Sequence, residues 1–219
     1  MIYFQDLSRL GDLLQSLCMG SLTTIELFVL TILIALPVGF VLALGSISKR
    51  KPLKWVINVY ILVMRGTPLM LQILFVYFGI GMLGIKIDRF VAAVLSITIN
   101  YAAYFSEIFR GGIQSIEKGQ FEAADMLGMT YGQTMRRIVL PQVFKRVLPS
   151  VGNEVINLVK DTALVYTIGL SELLHAGNIA MMRDSNIIPL VIAGAFYLVM
   201  NALVTKGLHW TESKFDYYR

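Results

Sequence analysis

The chain has 219 residues, 56% of them hydrophobic and only 15% charged, where an ordinary soluble domain carries roughly a quarter charged. That balance excludes a water-soluble enzyme or binding module and specifies an all-α polytopic membrane protein, with membrane lipid as its first partner. The net charge of +5 does not point to nucleic acid, because the basic residues gather at the ends of apolar runs and not along one helix face or strand.

The opening stretch, MIYFQDLSRLGDLLQSLCMG, sets Phe4, Leu7, Leu10, Leu14 and Leu17 at helical spacing, with Asp6, Arg9 and Asp12 elsewhere. It lacks the basic start and continuous apolar core of a signal peptide, so residues 1–20 read as an amphipathic helix lying along the membrane interface. Its Cys18 is the only cysteine, which excludes an intrachain disulfide and a cysteine-based metal site. Residues 21–219 form the membrane domain. Apolar runs at Leu22–Ile47, Trp55–Leu83, Phe90–Phe109, Val147–Leu174 and Ile187–Thr205 each reach or approach the ~20 residues that cross the hydrocarbon, so five transmembrane helices are predicted. Basic residues in short loops favour the cytoplasm. Thirteen of them, including Lys49, Arg50, Lys51 and Lys54 and the group from Arg110 to Arg146, fall on one side. Arg9, Lys86, Arg89 and Arg183 make four on the other. The N-terminus is therefore expected outside and the C-terminus in the cytoplasm.

Between the third and fourth runs, residues 117–142 hold a polar hairpin that includes EAADMLGMTYGQTMRRIVLPQ (Glu122–Gln142). Phe121–Leu127 reads as a short helix closed by Gly128, which turns the chain through a left-handed conformation. Thr130 to Gln133 has the form of a capping box that starts a second helix, and Pro141 is expected to limit that helix. Ala123 and Ala124 leave a smooth surface for a close neighbour, and Glu122 and Asp125, three residues apart, share a face suited to a basic partner. A plain connecting hairpin over the end of the bundle is the competing reading.

The hairpin resembles the signature of the permease subunits of ATP-binding-cassette importers: EAA, three residues, glycine, nine residues, then IxLP. Here it is Glu122-Ala123-Ala124, Gly128, Met129 to Arg137, then Ile138, Leu140 and Pro141. RGTPLMLQILFVYFG (Arg65–Gly79), AAYFSEIFRGGIQSIEKGQFEAA (Ala102–Ala124) and LVKDTALVYTIGLSEL (Leu158–Leu173) are similar to the polar amino-acid branch of the same family. The resemblance implies a type I importer transmembrane domain in which Glu122, Ala123, Ala124, Asp125 and Gly128 belong to a coupling helix that inserts into a groove of a separate ATPase. It further implies a second permease chain, identical or similar, and an extracytoplasmic binding protein that delivers an amino acid at the cytoplasmic (inner) membrane of a bacterium.

Charged groups at the bilayer centre cost about 2.5–3.5 kcal/mol on insertion scales, so Arg65, Glu107, Glu154, Lys160 and Asp161 each ask for a partner or a function. Ser150, Glu154, Asn157 and Asp161 are spaced four, three and four, on one helix face. Arg65-Gly66-Thr67-Pro68 interrupts a long apolar run and should divide it into two half-helices with free backbone groups at the break. Asn100, Tyr101 and Tyr104 add hydrogen-bonding capacity, the two tyrosines better suiting a core or interface than a ligand contact. For an amino acid, Arg65 or the positive end of the broken helix could take the carboxylate. Glu154 and Asp161 could take an ammonium, which leans toward a cationic side chain such as arginine, lysine or histidine. Structural salt bridges among the same groups are the alternative. The path candidates are thus Arg65, Thr67, Asn100, Tyr104, Glu154, Asn157, Asp161 and Thr162. Lys160-Asp161-Thr162 follows the KDT of the family, whose common next residue is serine; here it is Ala163.

No phosphate-binding loop of the Walker kind is present, so ATP and Mg are expected on the partner ATPase, with no cofactor on this chain and no catalytic residue. No HExxH or paired-cysteine spacing suggests a metal. The competing class is an ion-gradient-driven amino-acid transporter or channel that uses the intramembrane carboxylates.

Overall fold

The computed structural model describes residues 7–215, so Phe4 and Asp6 of the opening stretch and Arg219 of the tail lie outside the described residues. Within them the chain is helical, with no strand. The helices are α1 (Leu7–Ser46), α2 (Lys51–Gly66), α3 (Leu69–Met82, with a π-turn at Phe75–Gly79), α4 (Arg89–Gln114), α5 (Lys118–Met126), α6 (Tyr131–Thr134), α7 (Leu140–Asp161), α8 (Leu173–Asp184) and α9 (Ile188–Phe215).

From Leu7, helix α1 runs through residue 20 without a break, so residues 7–20 are continuous with the first spanning helix. Its buried positions explain why. Leu13, Leu17, Gly20, Thr24, Leu27, Thr31, Ala35, Gly39, Ala43 and Ser46 are buried at steps of three or four residues, a narrow stripe that includes many small side chains. Small residues let helices approach closely where lipid supplies no hydrophobic drive. The remaining surface of α1 is apolar and open, with Leu33 65% and Val41 66% exposed, and needs lipid or another chain to cover it.

Three helical stretches are long and apolar enough to cross a membrane among the described residues: Arg9–Ser46, Arg89–Gln114 and Ile188–Lys214. The pair Lys51–Gly66 and Leu69–Met82 makes a fourth if counted as one span, and its break falls where Arg65-Gly66-Thr67-Pro68 predicts. The expected fourth run, Val147–Leu174, is not one helix. Helix α7 ends at Asp161, Thr162–Ile168 is a 3-10 segment, and Gly169 turns left-handed (φ 70°) before α8 begins. Hydropathy carried the run forward, but a 3-10 segment and a left-handed residue cannot extend an α-helix.

The chain divides into two compact units. One comprises the chain to Leu33, Thr67–Thr98 and Val155–Lys206. Its core packs Leu13 and Leu17 of α1 against Leu173 and Ala180 of α8 and Ala193 of α9. Beside it, Leu69–Leu74 packs against the 3-10 segment. Arg89 donates to the Gly169 carbonyl (3.1 Å) and to the Tyr77 hydroxyl (3.3 Å), which pins the turn. At the start of α8, Glu172 has no exposed surface. Its carboxyl oxygens accept from the N–H groups of Leu174 (2.8 Å) and His175 (2.7 Å) and from the Tyr197 hydroxyl (2.7 Å). It therefore caps the helix, satisfying donors that would otherwise be orphaned. Gly20 lets α1 reach this turn: a Cβ there would lie 2.9 Å from backbone atoms of Glu172 and Leu173.

The second unit comprises Ile34–Gly66, Ile99–Glu154 and the chain from Gly207. One core cluster joins Ile57 and Ile61 of α2 to Ala103 of α4; another joins Ile113 and Ile116 to Met135, Val139, Val143 and Val147. The second cluster is the floor under the polar hairpin.

Candidate functional site

The hairpin is built almost entirely from local rules. Glu117 is extended (φ −60°, ψ 137°) and α5 starts at Lys118. At its far end the Gly128 N–H donates to the Asp125 carbonyl (2.8 Å) and the Met129 N–H to the Ala124 carbonyl (3.0 Å). This is a Schellman closure, and it requires the left-handed φ of +69° that Gly128 adopts. Two residues on, the capping box is complete: Gln133 N–H donates to the Thr130 hydroxyl (3.4 Å) and Thr130 N–H to the Gln133 side-chain carbonyl (2.8 Å).

Pro141 does not stop the helix that this box begins. A π-turn at Met135–Val139 leads directly into α7, and the Leu140 N–H reaches back to the Met135 carbonyl. Proline lacks an N–H and crowds the carbonyl four residues earlier; a widened turn ahead of it accommodates both. The expectation that Pro141 limits the second helix is corrected accordingly.

Half-buried Phe121 packs against the floor cluster and Ala124 is fully buried, so of the two alanines only Ala123 offers open surface. Glu122, Asp125 and Gly128 are exposed. Two residues that sequence reading passed over are also wide open: Met126 is 90% and Leu127 79% exposed. Their place after the acidic pair, in the last turn before the closing glycine, was the available signal. Arg146 donates to the Ser115 carbonyl and hydroxyl, holding α7 to the segment that leads into the hairpin.

In the same unit, α2 and α4 frame an open groove of about 660 Å3 whose lining includes Lys54, Asn58, Arg65, Tyr104, Glu107 and Arg110. Glu107 accepts a bidentate pair from Arg110 (2.7 and 2.8 Å) and a longer contact from Arg65 (3.3 Å). The Arg65 guanidinium lies 5.3 Å from the centre of the Tyr104 ring, within cation–π range. Arg65 thus pairs with Glu107, a charge the sequence flagged but did not place in the path.

Asn100 has a structural task. Its side-chain amide donates to the Met64 carbonyl (2.9 Å). An uninterrupted helix would serve that carbonyl from residue 68, and Pro68 has no N–H to give.

The other path candidates belong to the first unit, apart from Glu154. The Thr67 hydroxyl accepts from the Gln72 amide (2.7 Å) and Asn157 accepts from Lys160 (3.1 Å). Thr162 is fully buried, with its hydroxyl donating to the Val159 carbonyl (2.8 Å). Ser150, Glu154, Asn157 and Asp161 all lie on α7 and are partly or fully open.

Residues 35–215 match the family described as binding-protein-dependent transport system inner membrane component. The arginine transport system permease protein ArtQ of Bacillus subtilis (strain 168) is 44% identical over 188 residues, 85% of this chain and 86% of that protein. The putative glutamine transport system permease protein GlnP of Rickettsia bellii (strain RML369-C) is 34% identical over 197 residues, 89% of this chain and 90% of its own. Among solved structures, an amino acid ABC transporter crystallised with histidines superposes with a TM-score of 0.88 at 37% identity, covering 95% of this chain and 98% of that one. A continuous helical membrane chain, a capped and exposed hairpin carrying the EAA signature, and these likenesses over nearly the whole length converge: the chain belongs to the binding-protein-dependent inner membrane component family, among the permease subunits of amino-acid ABC importers.

Proposed function

We propose that this permease serves an ATP-driven importer of polar or cationic amino acids of the arginine, lysine or histidine type, and that α5 with Gly128 is the part a separate ATPase moves. The observation that carries the reading is the hairpin surface. Its inner side is pinned by Phe121 and Ala124, while Glu122, Asp125, Met126 and Leu127 stand open. Two exposed apolar side chains beside an acidic pair have the make-up of a docking patch, an anchor with a polar rim.

On this reading the partner ATPase binds ATP and Mg, and a second permease chain, identical or similar, completes the path. An extracytoplasmic binding protein delivers solute to the opposite face. The N-terminus lies outside and the C-terminus inside the cell, a direction supported by the thirteen-to-four division of basic residues. The arginine-type preference draws on the likeness to ArtQ and on the carboxylates Glu154 and Asp161, which suit a cationic solute. Arg65, Tyr104, Thr67 and Asn157 would line or border the path, with Asn100 and Thr162 acting from behind as positioning residues.

The test is uptake into vesicles that hold the assembled transporter, ATP inside, and collapsed ion gradients. Uptake should require ATP, and Glu122→Arg should lower it about tenfold or more at normal membrane expression, since one reversed charge at a docking patch removes a contact and adds a repulsion. Uptake that follows an imposed gradient without ATP would overturn the importer reading, and unchanged uptake in the Glu122→Arg variant would overturn the role of the hairpin.

A further inference from the structure

The turn between α1 and α2 carries Lys49 and Arg50, and α2 opens on Lys51. All three are exposed, and among the described residues none makes an ion pair or a side-chain hydrogen bond. The turn is shaped from within. Ser48 N–H donates to the Gly45 carbonyl (3.1 Å) and Arg50 N–H to the Ser48 hydroxyl (3.2 Å), so the three cations hold none of it in place. No acidic residue occurs in the chain between Glu26 and Asp88 to offset them.

The outward face of α2 shows what such a cluster can meet. Ile57 and Ile61 turn to the core with Ala103 of α4, Ile57 filling the space beside Gly45 of α1. At about 100° per residue, Lys51, Trp55, Val59 and Leu62 then share the opposite side of the helix, at spacings of four, four and three. Trp55 is 68% and Leu62 72% exposed. Measured from Lys51, the indole stands about 6 Å along the axis and Leu62 about 16 Å. Cation, indole, aliphatic is the order in which a phospholipid presents its phosphate, its glycerol level and its acyl chain. The chain's other tryptophan, Trp210, repeats the pairing of indole and cation near the end of α9, where the Lys214 ammonium lies 3.6 Å from the ring centre.

We propose that Lys49, Arg50 and Lys51, with the Trp55–Leu62 face of α2, bind an acidic phospholipid of the cytoplasmic leaflet, the cations taking its phosphate and the apolar face one acyl chain. The leaflet follows from the orientation proposed above; the site itself needs only a bilayer, and neither solute nor ATPase. Arg50 offers a planar fork to two phosphate oxygens and the lysines offer point charges. A zwitterionic headgroup brings its own ammonium against three cations, so the site selects a lipid of net negative charge. Free phosphate shares the headgroup chemistry, but Trp55, Val59 and Leu62 have nothing to offer it.

Trp55 is also the reporter. The assembled transporter with Trp210→Phe is placed in bilayers containing graded fractions of brominated phosphatidylglycerol or brominated phosphatidylcholine, and quenching at Trp55 is read as the difference from a Trp55→Phe, Trp210→Phe transporter. Half-maximal quenching should need about a fivefold lower fraction of the phosphatidylglycerol, the preference that one unopposed charge supplies at a membrane surface. Joint Lys49→Gln, Arg50→Gln and Lys51→Gln substitution should bring the two fractions together, and Lys86→Gln, which removes a charge from the opposite side, should not. Raising salt to about 0.5 M should also narrow the gap with all three cations in place, a result that stands even if the triple variant fails to insert. Equal quenching by the two lipids, a preference that survives both salt and the triple substitution, or its loss in Lys86→Gln would overturn the proposal. So would quenching by neither lipid, which would assign the face to a protein neighbour. Loss of the preference on adding inorganic phosphate at constant ionic strength would overturn it too, in favour of a free-anion site.

Discussion

Glu172 lies fully buried in an apolar chain, yet each of its carboxyl oxygens has at least one donor, from Leu174, His175 and Tyr197. Removing it would take the acceptor from two backbone N–H groups, those of Leu174 and His175, and one partner from the Tyr197 phenol. Each unsatisfied buried group costs roughly 1–3 kcal/mol, so Glu172→Ala should lower thermal stability in detergent markedly, whereas Glu172→Gln, which keeps one acceptor oxygen, should lose less. Equal stability of wild type and Glu172→Ala would refute the capping role. The sequence flagged neither this residue nor its task, because an apolar run to Leu174 hid the helix start. Asn100 was visible as a polar residue in a span, but its purpose was not: the carbonyl it serves is 36 residues away and is exposed by a proline on a different element. Local letters announce a polar group; only packing says which orphan it satisfies.

At the scale of elements, what was legible came from contacts within a few residues. The α5 closure at Gly128, the capping box at Thr130 and the break at Pro68 depend on neighbours in the chain, and all three were legible. Pro141 and the Val147–Leu174 run were not, since a π-turn and a 3-10 segment leave little periodic trace in composition. Gly128 offers the sharpest test of the hairpin. A β-branched residue at φ +69° costs about 1–2 kcal/mol for a left-handed L-residue, so Gly128→Val should loosen the Schellman closure and displace Met126 and Leu127. The expected outcome is weaker retention of the ATPase in detergent and lower ATP-driven uptake, with membrane insertion intact. Gly128→Asn, which tolerates the left-handed region, should retain most of both. Equal loss in the two variants would show that backbone conformation is not what matters there.

For the whole molecule, charge content and apolar length fixed the membrane class, and the EAA signature fixed the family. The number of crossings was less legible because hydropathy counts length while the structure spends part of that length on turns. Among the described residues, three long apolar helices and a bent pair are few for enclosing a polar route, and the open apolar surfaces of α1 and α9 leave much to be covered. Native mass measurement of the solubilised transporter is therefore expected to find two permease chains per complex; transport by a complex with one would contradict this. The π-turn before Pro141 carries one last implication. Because it lets the chain pass that proline without leaving the helix, Tyr131 to Glu154 of the second unit is one helical run of roughly 35 Å at 1.5 Å per residue. A displacement applied beside the hairpin is then passed into that run in place of being absorbed by a loose knee at Pro141.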